Sequence, residues 1–413
     1  MLKIRWVLVV ILTVLSIMSL TGVRVHADQP LIAGGTLGAA ATVDSEGSLI
    51  VVGSTAPFSS GQSQMFFLKY VPELPDSPTG RLFCMRTFGG GEPLDTFGYS
   101  VVTDNSNNIY VTGSTQTFGG EDYDVFLQKY DQSCNLVYTL QWGGPGNDIA
   151  RGIAVDAADN VYITGSTDSF AGGLTQIFLL KYSVWGDLQF SRTWGNKSNS
   201  YGAGVVADTL GNVYVVGTNS IVTGGSDLVL LKYDSSGNLQ YQKTWGGIQT
   251  YGTAVAVDNA GDAYVTGYTY DLGTTPGISS VMLLKYDPSG NLLFTKMWGG
   301  TQNDFARGIA IDVDGNIYVV GYTKSYSINK GIPSAFLAKF DQGGNLLYQR
   351  IWGGDRGDFA YGVAVDGGEN AYVTGYTYSF GPNTQGANLF VLKYDVNGIL
   401  LYEKTYGGGI PDP

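Results

Sequence analysis

Alternating apolar and polar positions run through this chain in short stretches, each stopped by a turn rich in Gly, Asn, Asp or Ser. In the stretch 152–194, Gly152-Ile-Ala-Val-Asp156 alternates and ends at an Ala-Ala-Asp-Asn turn, and Val161-Tyr-Ile-Thr164 returns as its hairpin partner. A polar, Gly-containing loop leads to Ile177-Phe-Leu-Leu-Lys-Tyr182, and Leu188-Gln-Phe-Ser-Arg-Thr-Trp194 follows as a fourth strand. The unit is therefore a four-stranded antiparallel meander. In later units the last turn is spelled Asp234-Ser-Ser-Gly-Asn238 or Asp287-Pro-Ser-Gly-Asn291, where Gly supplies the positive φ of a tight hairpin.

Three markers repeat this unit seven times. An aromatic followed by Gly stands at Phe88, Trp142, Trp194, Trp245, Trp298, Trp352 and Tyr406, at spacings of 54, 52, 51, 53, 54 and 54 residues. A segment close to V-D-x-x-G-N-x-Y-V-T-G ends at Gly53, Gly113, Gly165, Gly217, Gly267, Gly321 and Gly375. A third, close to F-L-x-K-Y-D, carries Lys69, Lys129, Lys181, Lys232, Lys285, Lys339 and Lys393. One isolated meander leaves both faces exposed, so the units must stack, and a closed ring needs no end caps. The expected fold class is all-β, a seven-bladed β-propeller; an open solenoid of the same units is the alternative. The pattern W-G-G-x-G-N-D-x-A-R-G-I-A-V-D-x-x-G-N-V-Y-V-T-G-x-T resembles the SBBP family of β-propeller repeats over nearly all of 34–406. The resemblance implies a propeller in an extracellular setting and no particular catalytic signature. The first unit departs from it, since Ala33-Gly34-Gly35 lacks the aromatic; Leu31-Ile-Ala before it is expected to pair with 399–405 and help close the ring.

Composition agrees with many short strands and tight turns: 14% charged residues, 60 Gly, 28 Tyr and 18 Phe in 413 residues. Residues 1–27 read as an export signal, with Lys3 and Arg5 before the apolar run from Trp6 to Leu20 and a small-residue site at Val25-His26-Ala27. Cleavage there leaves 28–413 as a single propeller domain at the cell surface or secreted; an uncleaved segment would make a membrane anchor. Removing the signal leaves 20 basic against 35 acidic residues, a net charge of −15, which argues against nucleic acid as a partner. Cys84 and Cys134 suit an oxidising compartment, with their pairing left open. Asn196-Lys197-Ser198 is the one sequon.

Residues present in every unit are expected to serve every blade. Asp44, Asp104, Asp156, Asp208, Asp258, Asp312 and Asp366 close the first strands, on the same side as the repeated Lys residues, and predict a structural network of ion pairs and turn caps. The Trp series predicts packing between blades, with sugar-stacking platforms as the alternative. Positions that vary between units are the better ligand candidates. On the connections sharing the other face stand Asp95, Asp148, Asp304 and Asp358, with Arg151 and Arg307. Beside them stand Phe58, Phe118, Phe170, Tyr268, Tyr270, Tyr322, Tyr326, Tyr376, Tyr378 and Phe380. Such a set suits a carbohydrate or an extended polypeptide; alternatively each Asp caps its own turn and pairs with the neighbouring Arg.

No cofactor is expected. Asp312-Val-Asp314-Gly-Asn316 offers oxygen ligands for calcium, but lacks the closing Glu of an EF-hand loop. The only His, His26, lies in the signal, which removes imidazole metal sites and the usual triad from the exported chain. The sequence thus points to a non-catalytic binding or scaffold module for glycan or protein. A polysaccharide-acting enzyme using carboxylate or Tyr acid/base groups, or a purely structural envelope component, are the alternatives.

Overall fold

The protein, seen in a computed structural model, is described at residues 24–25, 36–55, 63–71, 81–89, 94–117, 122–170, 172–195, 197–220, 224–247, 249–270, 277–382 and 386–407. The apolar signal-like run, the expected closing strand at 31–33, Phe58, Phe118 and the sequon Asn196 lie outside these residues. No helix among the described residues is long and apolar enough to cross a membrane.

Seven antiparallel four-stranded blades follow one another in chain order, each with its strands in sequence order, and one of the sheets gains a fifth, two-residue strand. Blade 1 begins with Thr36–Val43, blade 2 with Thr96–Thr103, blade 3 with Asp148–Val155 and blade 4 with Ser200–Ala207. Blade 5 begins with Thr250–Val257, blade 6 with Asp304–Ile311 and blade 7 with Asp358–Val365. The first three strands of a blade are apolar on both faces and buried. In blade 3, for example, Ile163, Phe178 and Leu180 point to one neighbour and Tyr162, Ile177 and Leu179 to the other. Every buried apolar cluster therefore straddles neighbouring blades. The fourth strand alternates exposed and half-buried residues, as an outer rim should.

Blade 1 packs directly on blade 7. Leu389 of blade 7 lies so near Gly38 that a Cβ there would come within 2.3 Å of it, and the rings of Tyr70 and Tyr406 meet at 5.8 Å. Among the described residues blade 7 is built of its own four consecutive strands, so side-chain packing joins it to blade 1. Arg24–Val25 forms a two-residue strand paired antiparallel with Gly308 and Ile309 of blade 6.

The recurrent Asp and Lys residues form the expected structural network. At each first turn the Asp carboxylate accepts the backbone N–H groups two and four residues on: for Asp312 these are Asp314 at 3.1 Å and Asn316 at 2.8 Å. Its second oxygen accepts the Tyr318 hydroxyl at 3.2 Å and meets Lys339 at 3.1 Å. The Lys ammonium lies over that Tyr ring, 4.7 Å from its centre. Asp44 with Lys69, at 3.0 Å, is the same pair in blade 1. The Lys also reaches the next blade, donating to a carbonyl of its last hairpin: Lys69 to Gln132, Lys129 to Val184, Lys181 to Ser235 and Lys232 to Pro288.

The Trp residues do pack between blades. Trp142 lies 4.8 Å from Phe178 of blade 3, Trp298 4.6 Å from Phe336 of blade 6, and Trp352 4.6 Å from Phe390 of blade 7. Indole N–H donors of Trp194, Trp298 and Trp352 reach Gln242, Gln349 and Glu403 on the neighbouring blades.

Cys84 and Cys134 are joined, binding blade 1 to blade 2. At later joints an aromatic residue facing the repeated Lys lies against a hairpin Gly of the next blade: Phe190 against Gly237, Tyr241 against Gly290, Phe294 against Gly344. Those glycines have φ between 74° and 81°. Cys84 holds the aromatic's register position, opposite Lys69, and Cys134, with φ 65°, holds the hairpin position of the Gly. The disulfide thus replaces a ring-on-backbone contact at both of its ends.

Two outcomes are expected. Cys84→Ala with Cys134→Ala should lower stability by about 2–4 kcal/mol, and Cys84→Phe with Cys134→Gly should restore part of it in urea unfolding; no gain over the alanine pair would refute the equivalence of the joints. Asp312→Ala, which removes the turn cap and leaves buried Lys339 only the more distant Glu369 carboxylate at 3.7 Å, should cost up to about 3–5 kcal/mol and lower Tm while leaving any ligand affinity of the opposite face unchanged.

Candidate functional site

The first-to-second and third-to-fourth turns lie on one face of the ring, with the Asp–Lys network. The connections between blades and between second and third strands lie on the other, and this loop face carries the variable residues.

A β-bulge recurs near the start of every first strand, as between Ala150 and Gly152 or Ala306 and Gly308. The bulged residues are Ala39, Tyr99, Arg151, Ala203, Thr253, Arg307 and Tyr361. The extra residue turns its side chain out of the ladder. The repeated Gly of the second strand faces this bulge, and it has no room for a side chain: a Cβ on Gly165 or Gly321 would lie 1.9 Å from the carbonyl oxygen of Ile149 or Phe305.

One residue before the alanine or glycine of that bulge, blades 5 to 7 place an aromatic opposite a Tyr of the second strand. The pairs are Tyr251 with Tyr268, Phe305 with Tyr322, and Phe359 with Tyr376. Their ring centres are 4.9, 4.8 and 4.9 Å apart, and between blades Tyr268 lies 4.8 Å from Phe305 and Tyr322 4.9 Å from Phe359. Tyr378 continues the chain at 5.7 Å from Tyr376. A continuous aromatic belt therefore spans three blades.

Blades 3 and 4 carry Ser166 and Thr218 where the belt has Tyr, and blades 4 and 5 carry the small Ala203 and Thr253 at the bulge. The missing volume is a cavity of about 310 Å³ lined by these residues, by Tyr201, Tyr251 and Tyr268, and by Arg151 and Arg307. Arg151, Tyr268 and Arg307, three of the sequence candidates, thus meet there. Arg151 stacks on Tyr99, 4.8 Å from its centre. Arg307 is enclosed by the rings of Tyr268, Phe305, Tyr322 and Tyr361 at 5.4–5.8 Å and donates to the Tyr322 hydroxyl at 3.1 Å. Tyr322 and Tyr376 belong to the belt beside the cavity rather than to its lining.

The acidic candidates are placed differently. Asp148, Asp304 and Asp358 are fully buried. Each accepts a backbone N–H of the preceding loop, from Gly144, Gly300 and Gly354, and a serine hydroxyl of its own blade, from Ser169, Ser325 and Ser379. Asp95 accepts the Ser63 N–H at 2.7 Å, the role that Asn147, Asn199 and Asn303 fill in other blades. These contacts tie loops together. Burial raises the carboxyl pKa of Asp148 and Asp358, against the opposing effect of their hydrogen bonds. Phe170, Tyr326 and Phe380 each cover a Trp, at 5.0–5.1 Å from Trp142, Trp298 and Trp352.

The bulge, which sends Arg151 and Arg307 into the cavity, was missed in the sequence. The only signal is the doubled small residue, as in Gly202-Ala-Gly204. Among the described residues no three His, Cys, Asp or Glu side chains converge on a metal site, and the Asp312 turn spends its carboxylate on backbone, Tyr318 and Lys339.

Seven radially stacked meanders with an unequal loop face define a seven-bladed β-propeller. The model of the SBBP β-propeller repeat matches residues 88–117, 137–170, 246–272 and 296–329. An uncharacterised WD repeat-containing protein, L264, of Acanthamoeba polyphaga mimivirus is 25% identical over 86% of this chain. The regulatory protein FlaEY of Caulobacter vibrioides is 27% identical over 58% of it. The matches take in 30% and 31% of those longer proteins. Among solved structures, a puromycin hydrolase S511A mutant superposes with a TM-score of 0.54 at 14% identity, over 91% of this chain and 54% of that one. The β-propeller domain of the trilobed protease from Pyrococcus furiosus, described as having an open velcro topology, gives 0.52 at 10% identity, over 91% and 96%. Both are likenesses of fold.

The raised Asp358 pKa has a measurable sign. The folded protein holds this proton to higher pH than the unfolded chain, so ionisation destabilises the fold as pH rises from about 4. The Tm of Asp358→Asn relative to the wild type should therefore climb between pH 4 and 7 in thermal melts, and a difference that is flat or falls with pH would contradict the assignment.

Proposed function

We propose that this chain is an exported, non-catalytic binding propeller that takes its ligand at the loop-face cavity and the aromatic belt beside it. The observation that carries the reading is the break in the repeat. On the loop face the units differ, and blades 3 to 6 place small hydroxyl residues, Tyr rings and two guanidiniums around one hollow. Its volume, about 310 Å³, is at the lower end of small-molecule sites. Ring faces and hydroxyls in one concave place suit a glycan better than a flat protein surface.

Export is supported by the Cys84–Cys134 bond, which is stable in oxidising compartments, together with the signal-like N-terminal sequence. The polysaccharide-cleaving alternative calls for two carboxylates facing the ligand. Asp148, Asp304 and Asp358 are instead engaged in loop contacts, and burial pushes the Tyr376 hydroxyl well above its ordinary pKa, away from a base. These facts favour binding.

A panel of glycans and cell-wall extracts should contain at least one that raises Tm, because a ligand held only by the folded state stabilises it by about 2.7 kcal/mol at a hundredfold excess over Kd. Tyr268→Ala should abolish that shift while leaving the unliganded Tm within a few degrees. An unchanged shift in this variant would move the site elsewhere on the ring.

A further inference from the structure

Resting on the binding reading just given, we infer that the ligand is an anionic sugar and that Arg307 donates to its carboxylate or sulfate group. Arg307 is only 6% exposed, and its Nε and Nη1 are buried with no hydrogen-bond partner. The Tyr322 hydroxyl meets Nη2 alone. The four surrounding rings favour the positive charge through their faces but accept no in-plane N–H.

Across the described residues the ion pairs join lysines to carboxylates at the opposite face, and none includes Arg307. A guanidinium does not deprotonate in a protein, so this group cannot escape its burial by losing charge. No protein carboxylate is paired with it among the described residues, and two of its three nitrogens are left without a protein acceptor. An oxyanion entering the cavity would supply an acceptor that Nε and Nη1 lack, meeting one of them or pairing Nε with the remaining N–H of Nη2 along the guanidinium's side edge.

The rest of the lining says what the anion is attached to. Tyr201, Tyr251 and Tyr268 present rings for the apolar face of a sugar, and Ser166, Thr218 and Ser220 present hydroxyls that both donate and accept. Arg151, three blades from Arg307 on the ring, puts a second guanidinium in the same lining. A chain with acidic groups on successive residues would meet both.

The test compares a trigalacturonate with its methyl-esterified, neutral form, and dextran sulfate with dextran, by calorimetry on the wild type and Arg307→Met. The wild type should bind one anionic member about tenfold to hundredfold more tightly than its neutral counterpart, the range for a charged hydrogen bond, and the pair that responds tells carboxylate from sulfate. Arg307→Met should lose that preference while keeping or raising the unliganded Tm, since it removes a buried unpaired charge. Equal binding of charged and neutral forms, or a preference that survives in Arg307→Met, would overturn the anionic assignment and leave the binding reading standing. A large fall in the Tm of Arg307→Met would make Arg307 a structural strut and overturn it too. Absence of binding by all four probes would likewise overturn it, with the binding reading then judged by the wider glycan panel and Tyr268→Ala.

Discussion

A sheet of four strands with apolar side chains on both faces is stable only while both faces are covered, and in this protein each blade covers its neighbour. Ile163 and Phe178 face one way, Tyr162 and Leu179 the other, and neither set would stay dry alone. Apolar contact is not directional, so it does not fix how far one blade slides over the next. That is set by polar nodes: an Asp that caps its turn, a Tyr hydroxyl and a Lys that share its second oxygen, and a Lys ammonium that continues to a carbonyl of the following blade. Buried ion pairs add little net stability over apolar packing. Their directionality fixes the registration of the joints at which they occur.

With the joints fixed on one face, the other face is free to vary. The recurrent bulge turns one residue per blade out of the sheet, and the substitutions there, Ala, Tyr, Arg or Thr, shape the loop-face mouth without disturbing the ladder. The glycine facing each bulge is the condition for this, since its missing side chain makes room for the opposing carbonyl. The two mouths consequently differ in charge. A hollow of about 240 Å³ on the turn face is lined by Asp258, Asp312, Asp314 and Asp366, whereas the loop-face cavity carries guanidiniums.

The blades were legible in the sequence because the fold repeats: seven copies of three markers average out local ambiguity in any one strand. The Asp–Lys network and the Trp packing were legible for the same reason. The site was readable only in part. Arg151, Arg307 and Tyr268 stood out as residues that only some of the units carry, and the structure gathers them. Asp148, Asp304 and Asp358 stood out equally, but a loop-capping carboxylate and a ligand-binding one have the same spelling, and only burial and partners tell them apart. The bulge was hidden because it shifts a register, which leaves hydrophobic alternation nearly unchanged. Cys84 and Cys134 could have been paired by laying the units over one another, since each occupies a place held elsewhere by a contacting residue.

The position of that disulfide has a further meaning for how the ring comes apart. Among the described residues blade 1 meets blade 7 by packing without a shared strand ladder, and it is the joint next to this one, between blades 1 and 2, that carries the covalent bond. If the ring parts at that seam, blade 1 becomes a terminal unit with one neighbour, and in a linear stack the terminal units fray first. The sulfur bridge fastens this one end. A ring that opened at that seam would unravel more readily from its C-terminal blade, with the N-terminal pair held together as a single piece.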